Sequence, residues 1–178
     1  METNVQERQG CLTPAGRGWD RNEPIQVVEF ILGDELFAIS LFDVKEVVEY
    51  REITRLPDVS PRVKGIIDLR GEITTIIDIR QRLGVPPRTA PEESSRIIVI
   101  DDTKTRSRMA ILVDDVRAVS TFDAARVDPA SALVTKDDAA VVGIIKRKIK
   151  LKDREQNELI IWIDITQLLP DSDKEPGA

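Results

Sequence analysis

Residues 63–80 read Val63-Lys-Gly-Ile-Ile-Asp-Leu-Arg-Gly-Glu-Ile-Thr-Thr-Ile-Ile-Asp-Ile-Arg80. Isoleucine-rich runs flank Gly71, a pattern that predicts two antiparallel strands joined by a tight turn. Side chains alternate across a strand. Ile67 and Leu69 therefore share one face, with Ile66, Asp68 and Arg70 on the other. In the return strand Ile73, Thr75, Ile77 and Ile79 share a face, opposed by Thr74, Ile76 and Asp78. With Ile66 and Ile76 both assigned to the second face, that face needs at least a partial cover, from another barrel or from a partner. Arg70 sits beside the Gly turn on the same face. A guanidinium there offers several fixed donors to a partner's carbonyls or carboxylates. The alternative is an internal ion pair with Asp68 or Asp78.

The β pattern extends outward in both directions. Val27 to Leu32 ends in the turn pair Gly33-Asp34, and Leu36 to Ile39 follows it. Arg96 to Ile100 and Met109 to Val113 repeat the hairpin across Asp101 to Ser107. Val141 to Lys150 and Leu159 to Ile165 form the last long pair. Ser40 with Asp43 resembles a capping box, so 41–50 is expected to be a helical turn running into a strand. Ile79 to Leu83 before Gly84 predicts one short helical turn. Short, regularly spaced strands of this kind indicate a small barrel or sandwich.

The chain also repeats itself. Phe37–Val47 aligns without gaps on Met109–Val119, identical at five of eleven positions. Ile76–Leu83 aligns on Trp162–Leu169 at five of eight, and Gly65-Ile-Ile falls on Gly143-Ile-Ile. Three matches in the same order imply duplication. The expectation is an all-β chain of two related barrels, at about 25–90 and 91–170, with Pro86-Pro87 in the linker and strands near the junction open to exchange. Residues 1–24 and 171–178, polar and broken by Pro and Gly, are read as flexible tails.

Composition narrows the chemistry. With 26 Lys and Arg against 32 Asp and Glu, the net charge is −6, which argues against binding nucleic acid. The dense basic stretch Lys146 to Lys152 is read as a solvated sheet edge or loop. No apolar run reaches the roughly 18 residues that span a bilayer, and no secretory leader is evident, so a cytoplasmic location without membrane insertion is expected. The chain has no His and one Cys, Cys11, which removes the commonest general base, the commonest metal ligand and any internal disulfide. Asp101-Asp102, Asp114-Asp115 and Asp137-Asp138 lie in separate turns and read as turn chemistry rather than a metal site. Asp78 and Asp164 hold equivalent repeat positions, which favours a shared structural role over an acid–base pair. A carboxylate enzyme on a double barrel would need a deep pocket holding two carboxylates with raised pKa values.

Leu36-Phe-Ala-Ile, Val44-Lys-Glu-Val and Ile53-Thr-Arg-Leu-Pro57 resemble the opening barrel of the bacterial and archaeal CheW family. So do Val63-Lys-Gly-Ile-Ile-Asp-Leu-Arg-Gly and Ile76-Ile-Asp-Ile-Arg, and the likeness runs through Val113-Asp-Asp-Val to Leu169. The departure is Asp68, where the family usually has Asn; its added charge could hold Arg70 in an internal pair. The resemblance implies two SH3-like five-stranded barrels, no catalysis and no cofactor. It implies an adaptor that binds the cytoplasmic tip of methyl-accepting chemoreceptors and the regulatory domain of the CheA histidine kinase, recruited to membrane-associated receptor arrays. A scaffold of the same family serving another receptor-kinase pathway is the alternative. By position, Arg70 corresponds to the receptor-side arginine, and Val44, Glu46, Gly65, Ile97 and Val119 match positions that affect coupling. Gly65 could act through strand geometry alone, and Val119 could belong to the core.

Overall fold

The structure, a computed structural model, describes residues 11–12, 18–105, 107–130 and 140–170. Within the segment read as an N-terminal tail, β1 (Cys11–Leu12) pairs antiparallel with β2 (Gly18–Trp19). Residues 171–178 and Asp137-Asp138 lie outside the described residues. The body begins with the hairpin β3 (Ile25–Leu32) and β4 (Glu35–Ser40), followed by β5 (Val44–Glu49), β6 (Val63–Leu69) and β7 (Glu72–Ile77). A single helical turn, α1 (Arg80–Leu83), ends on Gly84 in the left-handed conformation. Then come β8 (Arg96–Ile100), β9 (Met109–Val113), β10 (Asp115–Phe122), β11 (Val127–Pro129), β12 (Val141–Leu151) and β13 (Arg154–Ile163).

These strands form two sheets, ordered β10-β3-β4-β13-β12-β11 and β5-β8-β9-β7-β6. Each curls into a five-position barrel. In the second, the chain leaving β5 returns to pair Thr54 with Ile66 of β6. In the first, β10 continues through a 3-10 turn capped by Asp123 into β11, which pairs with β12. The result is an all-β pair of related barrels.

The barrels are not the consecutive halves 25–90 and 91–170. The opening hairpin β3–β4 completes the barrel of β10–β13, while β8–β9 completes the barrel of β5–β7. The repeats are consecutive in sequence, but each lends its first hairpin to the other. Duplication makes this possible, because either hairpin fits either barrel at the same place. Both insertions use the same parallel contact, β4 against β13 and β9 against β7. Pro86-Pro87 therefore lies within one barrel's chain path rather than between barrels.

Burial follows from the exchange. Ile25, Val27, Ala38, Ile145, Ile160 and Trp162 fill one barrel. Ile67, Leu69, Ile76, Ile97, Val99 and Leu112 fill the other. The largest cluster lies in the seam, where Val28, Phe30, Phe37 and Ile39 meet Ile77, Ile98, Ile100 and Ile111. The exchanged hairpins thus bury apolar residues on both faces, which is why Ile97 to Ile100 and Met109 to Val113 read as unbroken apolar runs.

Register corrects one expectation. The two-residue turn pairs Leu69 with Glu72, Ile67 with Thr74 and Gly65 with Ile76. Ile76 thus joins Ile67 and Leu69 inside the barrel, whereas Ile66 lies opposite Thr75 on the outer face. A turn of two residues preserves the face across paired positions, and the alternation of each strand taken alone cannot reveal that.

Candidate functional site

The turn between β6 and β7 places both Arg70 and Gly71 in the left-handed region, with φ of 55° and 85°. This is the type I′ pattern that matches the twist of a hairpin. Asp68 steadies it, its Oδ1 accepting a hydrogen bond from the Gly71 amide at 2.7 Å. Asp68 is thus a turn cap, a task an Asn carbonyl performs equally well, and its hydrogen bond runs to the turn rather than to Arg70.

Arg70 pairs instead with Glu46 of β5. Nη1 and Nη2 donate to Glu46 Oε1 and Oε2 at 3.1 and 2.8 Å, a two-pronged contact. The arginine side chain stays 70% exposed and Glu46 23%. The internal pair is real, but its carboxylate is neither Asp68 nor Asp78. Asp78 Oδ1 accepts from the Arg80 amide, and its counterpart Asp164 accepts from the Thr166 amide. Both cap the turns that follow their strands, the symmetric role expected of them.

The other predicted residues disperse. Gly65 is buried at a bulge of β6, where an added Cβ would stand 2.3 Å from the Thr54 carbonyl oxygen. Ile97 is fully buried in the same barrel, opposite Val48. Val44 packs on the seam. These three shape the surface rather than form it. Val119 lies on the other barrel, 61% exposed on β10, so it is not core. The structure therefore joins Arg70 and Glu46 at one barrel's end and leaves Val119 as a separate surface position.

Sequence reading passed over several exposed apolar residues. Val47, the repeat counterpart of Val119, is 40% exposed, and the aligned pair Ile73 and Leu159 are 60% and 56% exposed. Each barrel thus offers the same two apolar points to solvent. The gapless repeat alignment contained that signal for Val47, once Val119 was a candidate.

Three clefts among the described residues are lined by side chains of both charges. One of about 420 Å³ is lined by Tyr50, Glu52, Ile53, Arg55, Lys64, Glu92 and Glu93. Its Glu92 carboxyl is held below the usual range by the hydrogen bond from Lys64. Burial, reinforced by the charges of Glu92 and Glu93, pushes the Tyr50 hydroxyl up. A general acid needs its carboxyl shifted the opposite way from Glu92. No helix among the described residues is long and apolar enough to cross a membrane.

The model of the CheW-like domain matches residues 26–173. A chemotaxis protein CheW from Bacillus subtilis is 31% identical over 151 residues, covering 84% of this chain and 88% of that protein. One from Helicobacter pylori is 23% identical over 145 residues, covering 82% and 86%. The crystal structure of the scaffolding protein TtCheW from Thermoanaerobacter tengcongensis matches with a TM-score of 0.67 and 33% identity, covering 86% of this chain and 97% of that one.

Proposed function

The chain belongs to the CheW-like domain family of chemotaxis scaffolds, and from that premise we propose that it couples methyl-accepting chemoreceptors to a CheA-type histidine kinase. In this reading it works by holding the two proteins together and transforms no substrate. Its place is the cytoplasm, at the receptor tips.

The observation that carries the reading is the posture of Arg70. Its left-handed turn and its two bonds to Glu46 fix the guanidinium at a barrel's end while 70% of the side chain stays open to solvent. Of its five donors only two N–H groups face Glu46. The rest make no bond to Glu46 and belong to a side chain largely open to solvent, which leaves them available to a carboxylate or a helix-end carbonyl of a partner. A solvent-exposed pair of this kind contributes little to folding, about 0–1 kcal/mol.

Arg70→Ala therefore keeps the melting temperature within a few degrees of the wild type. In a pull-down with receptor-tip fragment and kinase regulatory domain, the variant retains one partner and loses the other. Retention of both at wild-type affinity would reduce Arg70 to a structural partner of Glu46.

A further inference from the structure

The duplication exposes one asymmetry. Gly65 aligns with Gly143 and Ile76 with Trp162, so Leu69 and Glu72 correspond to Arg147 and Glu158. Both pairs face each other across their hairpins. Two residues separate Leu69 from Glu72, whereas ten separate Arg147 from Glu158. The β12–β13 hairpin therefore runs four rungs further, from Lys148 opposite Asn157 to Leu151 opposite Arg154. At a rise of about 3.4 Å per residue it projects roughly 14 Å beyond the barrel.

Nothing in the described chain supports this extension laterally. β11 meets β12 only at Gly143 to Ile145, and β4 meets β13 only at Ile161 and Trp162. Residues 151–157 are all exposed. A two-stranded ribbon with both edges open is marginal in water, so its length needs a reason outside the barrel. Its chemistry suggests one. Lys148 and Lys150 alternate onto one face, which also carries the 56% exposed Leu159. Lys152 and Arg154 crown the tip, and Leu151 is 45% exposed beside them. These four cations form no salt bridge with a described residue, while Lys146 at the base is paired with Asp128. The acidic residues of the ribbon are Asp153 and Glu155 alone, in a chain whose net charge is −6.

We propose that the β12–β13 ribbon is a docking arm for an acidic protein surface, with Lys148, Lys150, Lys152 and Arg154 supplying the charge and Leu151 and Leu159 the apolar contact. Edge protection by lysine explains charges on a strand that is already there, but it does not explain four added rungs. The inference rests on the adaptor reading, since the acidic surface belongs to one of the two coupled proteins. The arm and Arg70 lie on different barrels, so their contributions are separable.

Two variants test it. In one, residues 148–157 are replaced by Asn-Gly, which restores the two-residue turn of the counterpart hairpin. In the other, Lys148, Lys150 and Lys152 are all changed to Glu at full length, which covers the case in which the shortened hairpin misfolds. Binding of kinase regulatory domain and of receptor-tip fragment is measured separately, at two salt concentrations. The expected result is a tenfold or greater loss of affinity for one partner in both variants, with the wild-type salt dependence flattened in the shortened form. Wild-type affinity for both partners in the folded variants would overturn the arm and leave the adaptor reading standing. A wild-type chain that binds neither partner would overturn the adaptor reading, and the arm with it.

Discussion

Gly65 is required by backbone geometry. It lies at a bulge, with φ of +152°, where the strand passes so close to the Thr54 carbonyl that no Cβ fits. Gly143 repeats this, an added Cβ standing 2.6 Å from the Asp128 carbonyl oxygen. Each glycine therefore permits the contact that closes its barrel. Gly65→Ala and Gly143→Ala should each cost about 2 kcal/mol or more, read as a lower denaturant midpoint. Midpoints equal to the wild type would remove the closure role. At this scale the sequence singled out candidate positions, but not their contacts. Glu46 was legible only as a candidate position, because its partner Arg70 comes from a different hairpin. Asp68 pointed to an ion pair and is a turn cap, since a left-handed turn places an amide nearer to its carboxylate than the guanidinium.

At the scale of elements, the hairpins, the helical turn before Gly84 and the order of the repeats were all readable from periodicity and turn residues. The exchange of hairpins was left open rather than decided, because equivalent repeats make both pairings equally consistent with the pattern. The last hairpin was read as ending near Lys150 and resuming at Leu159, whereas the ribbon continues through polar residues that carry no apolar period. The exchange also carries a chemical difference. Glu29 opposes Ala38 as Val99 opposes Ala110, so Glu29 and Arg147 stand where the other barrel has Val99 and Leu69. Arg147 bridges the fully buried Glu29 at 2.7 Å, reaches Glu158 as well, and lies over the Phe122 ring. Arg147→Leu alone leaves a buried carboxylate uncompensated and should cost about 3–5 kcal/mol. Adding Glu29→Val reproduces the neighbouring barrel's solution and should recover most of that loss in a denaturation series. No recovery would mean that the ion pair itself holds the barrel together.

For the molecule as a whole, acid should be destabilising. Burial pushes the Glu158 carboxyl up, but hydrogen bonds from Arg147 and Arg117 outweigh it and hold the group below its ordinary 4.5. Glu92 is likewise lowered, chiefly by Lys64. A carboxyl with a depressed folded pKa adds stability that is present above its unfolded value and disappears as the pH falls through the folded one. Melting temperature should therefore drop as the pH falls below about 4.5, and the Glu92→Gln, Glu158→Gln double variant should show a shallower acid slope. An unchanged slope would place the acid sensitivity elsewhere.

Two barrels share their hairpins across an apolar seam, and the proposed coupling role requires this body to bind kinase and receptor at the same time. The most direct measurement is calorimetric titration of the full chain with CheA regulatory domain, repeated with receptor-tip fragment already bound. Saturable binding in both titrations, with a ternary complex at the end, is the expected result. Heat-silent titrations with no complex by sedimentation, or receptor fragment and kinase domain competing for one surface, would contradict an adaptor that couples the two.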